Sequence, residues 1–492
     1  MSTDPQTDTL DAIRAERLKK VAHLRERCGD PYPSVTERTH EVAQVRHTFA
    51  DLEARGEALT IAGRVMAIRE HGGSLFIDLF DGTGTLQGYL KRDRLEDRYA
   101  EFCALVDRGD FIELSGTPCT TKRGELSLLA SGWRMLTKAL LPLPTEHFGI
   151  KDEDERYRKR YLDILLDTDV TERIRRRSLF WNTARTFLLE RGFIEVETPV
   201  LETLPGGAEA RPFTTHHNAL DIDVQLRISA GELWQKKLMV AGLPKTFELG
   251  RIFRNEGMSA EHAQDYTQLE FYEAYSDYRK GKGMVRDLYT TLATTVFGTT
   301  TFTTRGHTFN LADDWQEYDF AELMHAAYGF DPRDTDETTV RRAVTESGIP
   351  HDTTKPMTLE RAVDTLWKKC RVRLAGPGYL TNVPVFLEPL AKRSSGDPRT
   401  VERFQVILAG SEVGKGFSEL NDPIDQAARF ARQDELRQRG DDEAQHADAA
   451  FVEALEYGMP PTFGFGVSER LYSFLEGVSL REGQLFPLMR PR

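Results

Sequence analysis

The chain has 492 residues, 39% of them hydrophobic and 29% charged, with a net charge of −13. That balance describes a soluble globular protein, with room for two to four domains at ~150 residues each. Cys28, Cys103, Cys119 and Cys370 lie far apart with no CxxC pair, the N-terminal MSTDPQTDTL is polar, and no apolar run is long enough to span a bilayer. A zinc ribbon, a disulfide scaffold, secretion and membrane insertion are therefore not expected, and a reducing cytoplasm is. The acidic net charge excludes little, because nucleic-acid binding depends on local patches.

In chain order, residues 10–27 put Leu10, Ile13, Val21 and Leu24 near helical spacing among basic residues. Two readings stand, a basic helix laid on a phosphate backbone and a solvated amphipathic helix. Between 59 and 134 the segments LTIAGRVMAIR, SLFIDLFD, TLQGYLK, DFIELSGTP and ELSLLA are broken at HGG, DGTG and KRGE. Five strands, with a helix-sized gap near 96–107, predict an OB-fold barrel over about 58–140, preceded by a lead-in at 1–57. Such barrels bind single-stranded nucleic acid by stacking and edge contacts. Phe76 and Glu125 are candidates for those contacts, although Phe76 taken alone is expected in the barrel core. Pro142 and Pro144 mark a linker over 141–160.

The second half, 161–492, has the texture of an α+β domain. A helix is expected around 171–191, closed by Gly192 and followed by the short strand GFIEVETPVL. Gly206 and Gly207 permit close backbone approach or positive φ. His216 and His217 invite a metal reading, but neighbours on a strand point to opposite faces, so none is expected. Strands 247–253 and 266–275 flank the loop RNEGMSAEHAQ, forming an antiparallel pair. That loop carries Arg254, Glu256, Glu261 and His262, and the second strand carries Glu270 and Tyr272. Charge at this density needs partners or a polar ligand. A solvated hairpin with surface ion pairs is the competing reading. A helix follows at 277–298, then a mixed insertion at about 306–394. Glu412 and Glu419 lie seven apart, on either side of what reads as a Gly-rich turn.

FRNEG followed by HxxxxTxLEFYEAY resembles motif 2 of class II aminoacyl-tRNA synthetases, in the form carried by the lysyl-tRNA synthetases. The helix and GFIEVETP resemble motif 1. GFGVSERLYSFLEG, FSELNDPIDQ and LREGQLFPLMRPR continue the likeness, the first as motif 3, and GELS at 124–127 extends it into the barrel. The resemblance implies an antiparallel catalytic sheet flanked by helices, behind an anticodon-binding barrel. It implies activation of L-lysine by ATP with Mg²⁺, transfer to the 3′ end of tRNA(Lys), and a homodimer formed through motif 1. Residue by residue, it gives Arg254 to the α-phosphate and the amino-acid carboxylate, and Arg470 to the γ-phosphate and adenine. It gives Glu256 and His262 to ATP and Glu412 to Mg²⁺. Gly206 and Glu232 fall at the substrate amine and Glu270, Tyr272 and Glu419 around the side-chain ammonium, with Phe417 also among the substrate-binding residues. Phe76 and Glu125 fall at the anticodon.

Three positions depart from the family pattern. Glu261 stands where the family usually has Arg, Gln405 replaces a metal-binding glutamate, and Lys415 replaces an asparagine that contacts substrate. One reading is that Lys415 takes over work of Arg or Mg²⁺; the other is that it faces solvent. Two further functions compete, a paralogue that activates lysine for a non-tRNA acceptor and a silent RNA-binding protein.

Overall fold

The computed structural model describes residues 5–144, 150, 152–208, 210–255, 257, 259, 261–349, 357–438 and 447–491, in two units that divide after Lys151. In the first unit, strands β1 (Leu59–His71), β2 (Ser74–Phe80), β3 (Thr85–Lys91), β4 (Phe111–Thr120) and β5 (Leu126–Thr137) close into a barrel ordered β1-β2-β3-β5-β4. The helix Asp97–Leu105 occupies the gap before β4. Period-two burial decides which side chains point inward. On β2, Leu75, Ile77 and Leu79 are buried, which puts Phe76 on the outer face, half-buried. Its placement in the core is thereby corrected.

The lead-in is not a separate arm. Leu24, Val42, Val45, Phe49 and Leu52 join the barrel's hydrophobic core. On the helix Pro5–Arg27, buried Arg17 donates to the carbonyls of Ala139 (2.9 Å) and Leu141 (3.0 Å), and Lys20 pairs with Asp107 at 2.8 Å. Both cations are committed within this unit. Arg14, Lys19, Arg25 and Arg27 are exposed.

The second unit is built on a mixed, mostly antiparallel sheet. In chain order its strands are β6 (Ile194–Glu195), β7 (Leu201–Glu202), β8 (Thr214–His217), β9 (Ile222–Leu226), β10 (Lys245–Phe253), β11 (Asp265–Ala274), β12 (Thr301–Thr304), β13 (His307–Asn310), β14 (Gln316–Asp319), β15 (Gly378–Thr381), β16 (Arg403–Leu408), β17 (Ser411–Ser418) and β18 (Thr462–Ser468). Eight form the central sheet, ordered β14-β15-β16-β17-β18-β11-β10-β6. The stretch 306–394 thus supplies two strands of the sheet itself. GFIEVETPVL pairs with β10 over only two residues of β6. His216, on β8, is an exposed partner of Asp223 at 3.0 Å, and the described residues hold no group of three potential metal ligands. No helix among them is long and apolar enough to cross a membrane.

Alternation along the central strands separates two chemistries. Leu269 and Phe271 face a core shared with Phe404, Phe463, Phe465 and Tyr289, covered by the helices Thr168–Leu189 and Tyr278–Leu292. Gln268, Glu270 and Tyr272 face the other way, into a cavity. On β17 the alternation is interrupted. The turn between β16 and β17 is Ala409–Gly410, and Gly414–Lys415–Gly416, which reads as a turn in the sequence, lies inside β17. Opposite Gln405–Ile407 the register slips, so three steps on β17 (412 to 415) face two on β16. The extra residue reverses the parity of the strand. Glu412 and Glu419, an odd number of residues apart, therefore line the same cavity.

Gly414 makes that bulge possible. Its φ is +152°, and an added Cβ would lie 2.4 Å from Tyr289 Oη and 2.7 Å from Phe465 Cζ. Gly414→Ala is expected to destabilise this unit by about 1–3 kcal/mol, the usual cost of overpacking a core. Urea unfolding followed by tryptophan fluorescence would measure it.

Candidate active site

The cavity, of about 450 Å³, opens on β11, β18 and β17. Two rows of paired residues cross these strands. Lys415, Gly466 and Glu270 make one row; Phe417, Gly464 and Tyr272 make the other. With glycine at the centre of each row and neighbouring strands ~4.8 Å apart, the floor is a trough roughly 10 Å wide between flanking side chains. Of the two glycines, Gly464 is sterically required, whereas a Cβ on Gly466 would make ordinary contacts, 3.4 Å from Glu270 Cγ. A Cβ on Gly464 would lie 2.0 Å from Glu419 Oε1 and 2.6 Å from Tyr272 Cε1.

At one end, carboxylates gather out of water. Glu270 accepts the Ala230 N–H (2.8 Å) on Oε1 and the Tyr272 hydroxyl (3.0 Å) on Oε2. Glu232 opens the helix Glu232–Val240 after Gly231, whose φ is +77°. Gly207 packs on Glu232, since a Cβ there would sit 2.6 Å from Glu232 Cβ. Gly206 lies one residue back from the cavity, its carbonyl accepting from Ser229 at 2.9 Å. Glu419 Oε2 is 2.6 Å from Lys236 Nζ, an ion pair without aligned hydrogen-bond geometry, and its buried Oε1 has no hydrogen-bond partner. Burial, with the neighbouring Glu232 charge, pushes the Glu270 carboxyl up to about 7. Burial pushes Glu419 up as well, against the pull of Lys236. Three acids gather here and two of them pair with one lysine, so this end of the cavity is short of positive charge. Glu419 Oε1 is a vacant acceptor for a cation.

Elsewhere the cavity mixes guanidinium groups with further acids. Arg254 reaches the Ile228 carbonyl through Nε and Nη2, both at 3.2 Å, and its guanidinium lies 5.8 Å from the Tyr266 ring centre. Arg470 sits in the first turn of the helix Glu469–Glu476, with its buried Nε unpartnered. Ser259 and His262 share a 2.7 Å hydrogen bond, and burial together with Arg470 holds the imidazole below its usual range. Glu256 lies outside the described residues. Glu261 is paired with Arg305, a bond that outweighs the effect of burial and keeps its carboxyl low.

The other two departures form one cluster. Gln405 is buried and accepts from Arg403, Arg403 also pairs with Glu388 at 2.9 Å, and Glu388 lies 3.3 Å from Lys415 Nζ. Lys415 is neither fully solvated nor sealed, for its side chain is 46% exposed at the cavity. Glu412 accepts the Trp367 indole N–H at 2.6 Å, from the helix Leu359–Cys370 within 306–394. Sequence reasoning missed Lys236, Glu388, Arg403 and Trp367. The only signal for Lys236 is its i,i+4 spacing from Glu232, which any surface helix can show.

Residues 152–490 match the model of the class II tRNA synthetases (D, K and N), and residues 59–136 match the OB-fold nucleic acid binding domain. The chain is 39% identical to the lysine–tRNA ligase of Fervidobacterium nodosum, covering 98% of this chain and 95% of that protein. It is 41% identical to that of Roseiflexus sp. (98% and 99%) and 38% identical to that of Thermotoga maritima (98% and 97%). The chain belongs to the class II lysyl-tRNA synthetases. Membership in this ATP-using class agrees with a cavity that is acidic at one end and rich in guanidinium elsewhere.

The acids give the ligand-free fold a pH signature. The folded Glu270 value lies above its ordinary one, so the folded state holds a proton that the unfolded chain releases. The resulting penalty is absent at pH 4 and grows as pH rises to about 7. Glu270→Gln is expected to gain stability relative to the native chain between pH 5 and pH 8. Paired urea midpoints at the two pH values would read the difference.

Proposed function

We infer that the chain activates L-lysine with ATP and transfers it to the 3′ end of tRNA(Lys), in the cytoplasm. The observation that carries this reading is the trough, with three carboxylates at one end, two of them paired with one buried lysine, and an arginine clamp in the same cavity. L-lysine brings two ammonium groups for the acids and a carboxylate for Arg254. The aliphatic stem fits between Phe417 and Tyr272, and Glu270 with Glu419 takes the ε-ammonium, whose burial without such partners would be prohibitive. Glu232, beside Gly207, takes the α-ammonium.

A lysine carboxylate oxygen then attacks the α-phosphorus of ATP, a P–O bond forms, and pyrophosphate leaves. This demands in-line positioning and neutralised phosphate charge. Arg254 holds the carboxylate and α-phosphate, Arg470 the γ-phosphate, and His262 and Glu256 the remaining nucleotide contacts. With Gln405 bound to Arg403, Glu412 is the carboxylate suited to Mg²⁺, a hard ion commonly held by one or two acids plus phosphate oxygens and water. Bound there, Mg²⁺ would draw charge from the phosphates. Lys415 adds a cation where carboxylate and phosphate meet. The tRNA terminal hydroxyl then attacks the aminoacyl carbonyl and releases AMP.

On the barrel, Phe76 and Tyr89 stack at 4.7 Å with planes 14° apart, and Lys91 Nζ lies 5.2 Å from the Tyr89 ring centre. A half-buried aromatic pair beside a cation, with Glu125 exposed near the start of β5, suits single-stranded bases. This favours tRNA as acceptor over a small-molecule acceptor. Leu179, Leu189, Ile194, Val200 and Leu201, exposed on motif 1, suit a homodimer.

Lysine-dependent ATP–pyrophosphate exchange followed by tRNA charging tests the reading; exchange with ornithine or arginine but not lysine would overturn it. Phe76→Ala is expected to raise the KM for tRNA about tenfold, the loss of one stacked base, with exchange unchanged. Lys415→Ala is expected to slow exchange and raise the Mg²⁺ concentration for half-maximal rate. An unchanged Mg²⁺ requirement would assign Lys415 to solvent.

A further inference from the structure

Lys236, which lies behind the cavity-lining acids Glu232 and Glu419, is a buried cation that the mechanism above does not use. Its side chain is 1% exposed, and its Nζ lies 2.9 Å from Glu232 Oε1 and 2.6 Å from Glu419 Oε2. It also lies 5.3 Å from the ring centre of Phe417 and 5.9 Å from that of Phe451. Lys236 is thus held by its own helix, by the end of β17 and by the helix Ala449–Glu456, with Glu270 and the Tyr272 hydroxyl of β11 beside the same acids. The adjacent Lys237 points elsewhere, 3.9 Å from Asp448.

Such a lysine is a poor stabilising device. Replacing a buried ion pair by packed apolar side chains is commonly neutral or favourable, so burial of this cation suggests a role other than stability. Its position supplies one. Lys236 bridges the acid at the α-ammonium end, Glu232, to the acid at the ε-ammonium end, Glu419. With all three carboxylates ionised, one internal cation leaves two negative charges unmatched, and L-lysine brings two ammonium groups. An amino acid with a neutral side chain brings one.

We propose that Lys236 is a positioning residue for amino-acid selection, a built-in counter-ion that bridges Glu232 and Glu419 and holds them spaced for the two ammonium groups of the substrate. This rests on the lysine reading above. Lys236 touches neither substrate nor the reacting atoms. It acts by lowering the cost of ionising its partners as they meet an incoming dication.

The test is Lys236→Met in the full chain. Without the internal cation the remaining acids hold their protons to higher pH. The acidic limb of kcat/KM for lysine should therefore move up by about one pH unit, while kcat/KM for ATP keeps its profile. In the absence of amino acid, the stability of the variant should also fall more steeply than that of the native chain between pH 6 and pH 8.5, because its folded state carries more protons than its unfolded state. A loss of activity uniform in pH, with parallel stability curves, would mean that Lys236 merely packs and would overturn the proposal. If the methionine variant does not fold even at pH 6, Lys236→Arg decides. A native lysine limb supports a charge role, and a displaced limb overturns it. Failure of the native chain to activate lysine would refute the functional reading instead, and the ligand-free stability curves would still test Lys236.

Discussion

The structure of the catalytic unit depends on holding three carboxyl groups together in a place without bulk water. Glu232, Glu270 and Glu419 converge on one end of a trough, with a single ammonium, Lys236, among them. Burial and mutual repulsion push Glu270 and Glu419 toward the protonated state. The fold tolerates this because its opposite sheet face is apolar. Leu269 and Phe271 alternate with Gln268, Glu270 and Tyr272, so one strand, β11, carries both the core and the acids. Marginal native stability leaves little room for such a cluster unless a ligand relieves it. The local instability of the ligand-free site is therefore part of its affinity for a cation.

Much of this was legible in the sequence, for reasons of local physics. Period-two patterning with Gly turns specifies the barrel strands. The β10–β11 pair, its charged loop and the helix that begins at Asp277 follow from the same rules. What stayed hidden depends on long-range register. Phe76 is polar-face or core according to a parity that only the neighbours Leu75 and Ile77 settle in three dimensions. The bulge at Gly414 converts an apparent turn into a strand interior and brings Glu412 to the same side as Glu419. β14 and β15 are four residues each, too short to read within 306–394, although both complete the sheet.

Lys236 was hidden for a different reason. In sequence it is the first of two lysines on an amphipathic helix, and the pattern there suggests a solvated face. Its burial comes from β17 and from the helix Ala449–Glu456, both more than 170 residues downstream. A charged side chain becomes an internal counter-ion only when distant elements close over it. The acids it serves were recognised through the family resemblance; the cation between them required the packed structure.

The three departures from the family pattern have a common logic. Glu261 introduces an anion into a region of Arg254 and Arg470, and Arg305, from the turn between β12 and β13, is paired with it. Gln405 removes an anion beside Arg403, and Glu388 lies 2.9 Å from that guanidinium. Lys415 adds a cation, and the same Glu388 lies 3.3 Å away. Glu261 and Lys415 each meet a charged partner from a different element, and Glu388 meets the Arg403 beside Gln405, so no change leaves an uncompensated buried charge, the arrangement that would cost most. The pairs on Glu388 are not equivalent. Arg403 is buried and its geometry is fixed, whereas Lys415 is nearly half exposed on a flexible stem and can turn from Glu388 toward an arriving phosphate at small cost. A cation held loosely at the mouth of the trough, beside one neutral amide and one remaining acid, favours a site that relies more on fixed side-chain charge and less on bound metal than two carboxylates there would require.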